Sequence, residues 1–364
     1  MRPAFSSTKS AAAFAILVAA VLVLPAAFGG KFLPAREQAY ASVGWRLGAF
    51  PWIHRQIFLE TNDVDIAFVG SSVMFSGIDA RYVQHALTEK TGRPATVFTL
   101  GWFWAGFDAT YFVAQDLLQH RRVKMLVLYD EDTRGDHPHP SAPIWFRWAD
   151  NSAGLTGLPA RYRAGLYTSA IMGMPRNFLG RLRADQPVDA AGEKQFWAEE
   201  YFGSSPAETL GTIVCRRPFL GGTNFFRFQP TNDLSANDLC LYSPATSGQF
   251  RFTGPPLPPY QLFFLKKLAA LAEKDGTRLV FLHLRNQSDA GEKFILERAN
   301  WTALLPGAAL VGIAPAKLFA GLSSAEIARF YYGEEHFNEN GLDYFTRRIS
   351  PALLQLYETA NDRR

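Results

Sequence analysis

Two short stretches of this chain carry residue types that could do acyl chemistry together. The first is Gly70-Ser71-Ser72, followed by Val73-Met74-Phe75-Ser76-Gly77. A glycine and small hydroxyl residues between a buried strand and a helix expose a serine hydroxyl and offer backbone N–H groups to an anion. Taken alone, a turn with capping serines explains the same stretch at least as well. The second runs Tyr331-Tyr332-Gly333-Glu334-Glu335-His336-Phe337-Asn338-Glu339-Asn340-Gly341, with Phe345-Thr346 beyond. The chain has only seven histidines. His336 is flanked by Glu334 and Glu335, acids that could orient it and stabilise its protonated form. A serine with such a histidine in reach is a nucleophile and its base.

Other residues suit a ligand. Trp102, Trp104, Trp145 and Trp148 lie in segments that read as loops, and Trp faces suit sugar rings as well as cores. Trp102 and Trp104 follow a strand and are the substrate-binding candidates. Arg285 follows another strand and could hold an acidic sugar or an acyl carboxylate; a surface salt bridge is its competing reading. His137 and His139 lie among Asp130, Asp132 and Asp136, the right ligand types for a metal. Two prolines beside the imidazoles make an exposed loop the better reading, so neither metal nor cofactor is expected.

The elements that must position these residues alternate. VDIAFVG (64–70), ATVFTLG (95–101), VKMLVLY (123–129), TRLVFLHL (277–284) and ALVGIA (309–314) read as buried strands. Helices are expected from Asp79 to about Lys90, over 107–120, 259–276 and 289–299, and over 340–358, where Pro351 should kink the last one. This is an α/β chain with a parallel sheet and helices on both faces. Right-handed crossovers then bring the loops after the strands to one edge, where such sheets bind ligands. The chain divides into a membrane anchor or signal segment (1–30), a juxtamembrane stretch (31–60), two parts of the α/β domain (61–134 and 257–364) and an insertion (135–256). A loop as long as that insertion is not structureless, and it reads as a lid or partner-docking subdomain.

Composition narrows the class. The 364 residues are 48% hydrophobic and 19% charged, which suits a globular core. The 37 Lys+Arg against 33 Asp+Glu leave a net charge of +4 with no long basic run, so a nucleic-acid partner is not expected. Ala11–Phe28 is an apolar run preceded by Arg2 and Lys9, just long enough to span a bilayer with the rest exported. A cleaved signal peptide competes, because Ala27-Phe28-Gly29 passes as a cleavage site. Export favours a disulfide between Cys215 and Cys240.

Together, Gly70-Ser71-Ser72 and the stretch from His336 through Asn338 to Gly341 and Phe345-Thr346 resemble the SGNH (GDSL-like) hydrolase superfamily. Its nucleophile follows the first strand in a Gly-x-Ser block and its histidine precedes the last helix in an Asp-x-x-His block. The resemblance implies a flavodoxin-like sheet and a Ser72–His336 acyl-enzyme mechanism. Oxyanion donors would be the N–H groups of Ser72 and of Gly101 or Gly106. The Gly-Ser-Ser variant, the N-terminal anchor and the insertion are similar to the membrane-tethered subgroup that O-acetylates cell-surface polysaccharides beside a polytopic membrane-bound O-acyltransferase. That implies a bacterial inner-membrane, single-pass protein with a periplasmic domain, working as an exopolysaccharide O-acetyltransferase or an esterase. The chain departs from the pattern in three places. Gly333 stands where the family has Asp, so Glu334 or Glu335 substitutes, an acid comes from elsewhere, or the pair works as a dyad. Thr99 and Gly101 replace the second block, and Tyr129-Asp130-Glu131-Asp132 the third. A non-catalytic polysaccharide-binding or scaffold protein for the acyltransferase is the alternative.

Overall fold

The computed structural model describes residues 5–28, 35–43, 45–130, 135–168, 190–199, 204–215, 240–241, 250–252, 256–292, 295–297, 305 and 307–361. Its strands are β1 (Val64–Gly70), β2 (Val97–Gly101), β3 (Val123–Tyr129), β4 (Cys240–Leu241), β5 (Phe250–Phe252), β6 (Arg278–Leu282), β7 (Ile295–Glu297) and β8 (Ala309–Gly312). Five of them form an all-parallel sheet in the order β2-β1-β3-β6-β8, with β4 adding an antiparallel edge pair to β8. β5 and β7 pair separately.

The apolar runs follow from two covered faces. Alternate residues of a strand point to opposite sides. Ile66, Phe68, Met125, Val127, Val280 and Leu282 therefore meet one helical layer, built by Ala80–Thr91 and Glu339–Asn361. Ala67, Val69, Leu126, Leu128 and Phe281 meet the other, built by Phe107–His120 and Pro259–Lys274. The chain leaves β1 toward β2 on one side and later returns to β3 on the other. That reversal opens a crevice at the carboxyl ends of β1 and β3. Ser72 follows β1 there.

The stretch before β1 packs onto the domain. Arg36 forms an ion pair with Asp116, whose carboxylate also accepts from the Tyr40 hydroxyl at 2.7 Å. Trp52 Nε1 donates to the Thr99 carbonyl at 2.9 Å, and Phe50 stacks on Trp145 of the inserted stretch with ring centroids 5.4 Å apart.

Several expectations are corrected. The helix expected over 289–299 is absent: a 3-10 turn, Gln287–Asp289, is followed by β7, whose pairing with β5 overrides local helix preference. The Cys215 thiol is free and buried, so the disulfide with Cys240 does not form. Among the described residues no helix is long and apolar enough to cross a membrane, and the anchor expected at 1–30 finds no support there. The helix Thr8–Phe28 has side chains described only as far as Val23, and over that stretch Phe14, Ile16, Leu17 and Val23 are exposed. The final helix, expected over 340–358, spans Glu339–Asn361 with Pro351 inside it.

Candidate active site

Ser72 is the first residue of a short helix, Ser72–Gly77, that begins directly beyond β1. The preceding Ser71 is extended (φ −70°, ψ −172°), so the chain turns sharply into the helix. An N–H at the first helical position has no acceptor within its own helix and is available to an anion. The helix is held by its own hydroxyl, since Ser76 Oγ donates to the Ser72 carbonyl at 2.8 Å.

His336 ends a tight turn. The Tyr332 N–H donates to the His336 carbonyl at 3.1 Å, and Tyr331 bridges Phe337 in antiparallel fashion. Asn338 anchors the exit. Its Nδ2 donates to the Arg329 carbonyl at 2.7 Å, while its Oδ1 accepts from the N–H groups of Asn340 (2.9 Å) and Gly341 (3.1 Å) and starts the last helix. Gly341 is required here, because a Cβ would lie 2.1 Å from the Phe330 carbonyl oxygen.

These two constructions meet: Ser72 Oγ lies 2.8 Å from His336 Nε2. Burial pushes the imidazole down from its ordinary 6.5 to about 4. It is therefore neutral at pH 7, with Nε2 free to accept the serine proton when Nδ1 carries the hydrogen. Glu334 and Glu335 are exposed, and no carboxylate among the described residues hydrogen-bonds the ring. The expectation that either glutamate orients the base is thus not met. Side chains one and two positions away on a turn whose tip is held by Gln287 N–H on the Glu334 carbonyl project to solvent instead.

The remaining candidates divide. Gly101 pairs in register with Gly70, next to the Ser71–Ser72 turn, and a Cβ on it would lie 2.5 Å from Phe75 of the helix Ser72–Gly77. Gly106 heads the helix Phe107–His120, packed against Asp108 and His139. Trp102 is fully buried, so it presents no face to a ligand; its N–H donates to the Gly70 carbonyl at 3.3 Å and it bridges Gly48. Trp104 is 43% exposed. Its backbone is left-handed (φ 66°), which costs a bulky residue about 1–2 kcal/mol unless neighbours impose it. The neighbours are Phe103, fixed by Leu47 (N–H to carbonyl, 2.9 Å), and His139, whose Nε2 donates to the Phe103 carbonyl at 2.9 Å. Arg285 is only 1% exposed; it reaches the Ile313 carbonyl (3.2 Å) and Asp289 (3.6 Å), so the open cation expected there is not present.

His139 is buried rather than part of an exposed loop, and its Nδ1 accepts from the Ser141 N–H at 3.0 Å. Beneath it Asp108 accepts from the His139 N–H (2.9 Å) and the Tyr260 hydroxyl (3.0 Å). Burial lifts that carboxyl to about 6. Among the described residues no group of His, Cys, Asp and Glu could hold a metal; Glu131 and Asp132 lie outside them.

One pair was not anticipated. Asp130 and His283 are buried and hydrogen-bonded to each other at the ends of β3 and β6. The register Val69 to Leu128 and Tyr129 to Leu282 sets Ser71, Asp130 and His283 in one row across the sheet edge. The acid in the same row as Ser71 is thus engaged with a different imidazole. Neighbouring strand ends are the signal that could have found this pair.

No family model, curated protein or solved structure matches the chain.

Proposed function

We propose that this protein performs acyl transfer or ester hydrolysis on a cell-surface polysaccharide through a Ser72–His336 dyad of the SGNH type. The observation that carries the reading is the 2.8 Å contact between Ser72 Oγ and His336 Nε2 at the carboxyl edge of the parallel sheet β2-β1-β3-β6-β8, which is 2-1-3-4-5 when its parallel strands alone are numbered. That order is the flavodoxin-like one, and its crevice is where such sheets bind ligands.

In the first step Ser72 Oγ attacks the ester carbonyl carbon while His336 Nε2 takes the hydroxyl proton. The tetrahedral oxyanion receives the Ser72 N–H and an N–H of Gly101 or Gly106, each worth about 3 kcal/mol. Collapse breaks the ester C–O bond, His336 returns the proton to the departing alkoxide, and an acyl-Ser72 ester remains. Water or a sugar hydroxyl then attacks that ester by the same route in reverse. Exposed Trp104 lies two residues beyond Trp102, whose N–H is bound to Gly70, and supplies an aromatic face for a sugar ring. In this reading residues 1–30 anchor the chain in the inner membrane, with the domain in the periplasm beside a polytopic O-acyltransferase.

The test is fluorophosphonate labelling of the full-length protein with hydrolysis of p-nitrophenyl acetate. Labelling and turnover that vanish in Ser72→Ala support the reading; labelling unchanged in that variant removes Ser72 as nucleophile. A second reading, a non-catalytic polysaccharide-binding scaffold for the acyltransferase, is favoured by the missing acid at His336. A folded protein that neither labels nor turns over ester but binds polysaccharide would establish it.

A further inference from the structure

We propose that Tyr332 is the positioning residue of the His336 base, holding by packing what an acid would hold by hydrogen bonding, and that Cys215 of the inserted stretch holds Tyr332. This rests on the Ser72–His336 reading above.

Tyr332 acts on His336 in two ways. Its N–H closes the turn on the His336 carbonyl, and its ring lies against the imidazole with centroids 5.3 Å apart and planes inclined by 47°. A ring so close limits the rotation open to the imidazole and occupies space that water would otherwise fill. The Tyr332 hydroxyl hydrogen-bonds the buried Cys215 thiol.

Cys215 lies on a strap, residues 209–215, that touches both halves of the site. Leu210 accepts from the Thr99 N–H on β2 at 2.8 Å, and the Ile213 N–H donates to Phe75 of the nucleophile helix at 2.8 Å. Thr212 Oγ1 donates to the Ile78 carbonyl at 3.1 Å and accepts from the Ala80 N–H at 3.0 Å. The Cys215 carbonyl accepts from the Glu339 N–H at 2.9 Å, three residues beyond His336. One segment therefore fixes the serine from one side and the histidine, through Tyr332, from the other.

Charged and titratable groups on the elements around the imidazole include Tyr331, Tyr332, Glu334 and Glu335 of its turn, Glu339, Asp343, Arg347 and Arg348 of the last helix, Cys215 of the strap, and Arg285 and Asp289 beyond β6. None of these charges is among the causes of the His336 shift, which is burial alone. What Tyr332 contributes to that burial is therefore open to measurement.

The experiment follows the His336 ring by NMR in full-length, histidine-labelled protein in detergent, and fluorophosphonate labelling rates at pH 5 and 7. In the wild type the ring titrates near 4 and the two rates agree within threefold, while Tyr332→Phe, which keeps the ring but loses its hydroxyl bond to Cys215, moves the titration upward by as much as Cys215→Ala does. In Tyr332→Ala the titration moves up toward the ordinary value of about 6.5, and the rate at pH 5 falls about twentyfold below that at pH 7. Should Tyr332→Ala not fold, Cys215→Ala must move the titration in the same direction. Titration still near 4 in the folded variant, with rates that agree at both pH values, overturns the proposal. A wild type that never labels overturns the acyl-enzyme reading instead, while the NMR titration still reports on Tyr332.

Discussion

The hydroxyl of Ser72 and Nε2 of His336 stand at hydrogen-bond distance, 2.8 Å, while the carboxylates of Glu334 and Glu335 beside the histidine are turned to solvent. A dyad of this kind makes the two glutamates dispensable. Ser72→Ala and His336→Gln should each lower ester turnover at least about a thousandfold. Glu334→Gln and Glu335→Gln should leave kcat/KM within about twofold, since neither touches the base. Steady-state kinetics on p-nitrophenyl acetate decide this. A loss of a hundredfold in either glutamine variant would restore an acid to the mechanism.

The buried groups predict an unusual pH dependence of stability. His336 has a folded pKa of about 4, below its ordinary 6.5. Its contribution is present above 6.5 and is lost as the pH falls toward 4, because the unfolded chain binds the proton first. Asp108 has the opposite sign. Its folded pKa is about 6 against an ordinary 3.8, so its contribution is present below 3.8 and is lost as the pH rises through 6. Each amounts to roughly 3 kcal/mol between pH 7 and 4. Relative to wild type, His336→Gln should gain stability across that range and Asp108→Asn should lose it. Denaturant unfolding at pH 7, 5.5 and 4 measures both differences, and parallel curves for all three proteins would contradict the assignments.

Much of the frame was legible because its signals are local. Strands buried on both faces write themselves as continuous apolar runs, and Asp79 and Gly92 mark the ends of the helix Ala80–Thr91 as cap residues do. The pairing of Ser72 with His336 was legible from the order of elements, since each follows or precedes a strand at the same edge. What was missed depends on contacts distant in sequence. The segment Ile295–Glu297 is a strand only because Phe250–Phe252 pairs with it. Trp102 follows a strand as an open-loop residue would, yet Gly48 and Gly70 hold its backbone and the core takes its ring. Asp130 and His283 meet only because β3 and β6 are neighbours, which no spacing along the chain reports.

Trp104 offers a test that separates binding from packing. Its left-handed backbone favours glycine, so Trp104→Gly removes strain of about 1–2 kcal/mol while removing a ring that is already 43% exposed. Thermal stability should therefore hold or rise. If the ring supports a sugar, kcat/KM on an acetylated polysaccharide should fall about tenfold while turnover of p-nitrophenyl acetate stays within twofold. Equal losses on both substrates would make Trp104 a support of the dyad rather than a sugar platform.

Two left-handed glycines separate backbone strain from lack of space, and so test the strap. Gly92 (φ +68°) has no atom within 4 Å of where a Cβ would stand, so Gly92→Ala should cost only about 1 kcal/mol. Gly211 (φ +84°) lies so close to β2 that a Cβ would sit 1.9 Å from the Thr99 carbonyl oxygen and 2.4 Å from Trp52 Nε1. No rearrangement of a flexible side chain relieves a clash with backbone, so Gly211→Ala must lift the strap from the sheet edge. It should cost more than about 3 kcal/mol and, because the same strap binds Phe75 and Glu339, lower labelling of Ser72 at temperatures where the protein remains folded. Denaturant midpoints and fluorophosphonate rates of the two variants provide the comparison. A Gly211→Ala protein that loses stability yet labels at the wild-type rate would show that the strap supports the fold without aligning the dyad.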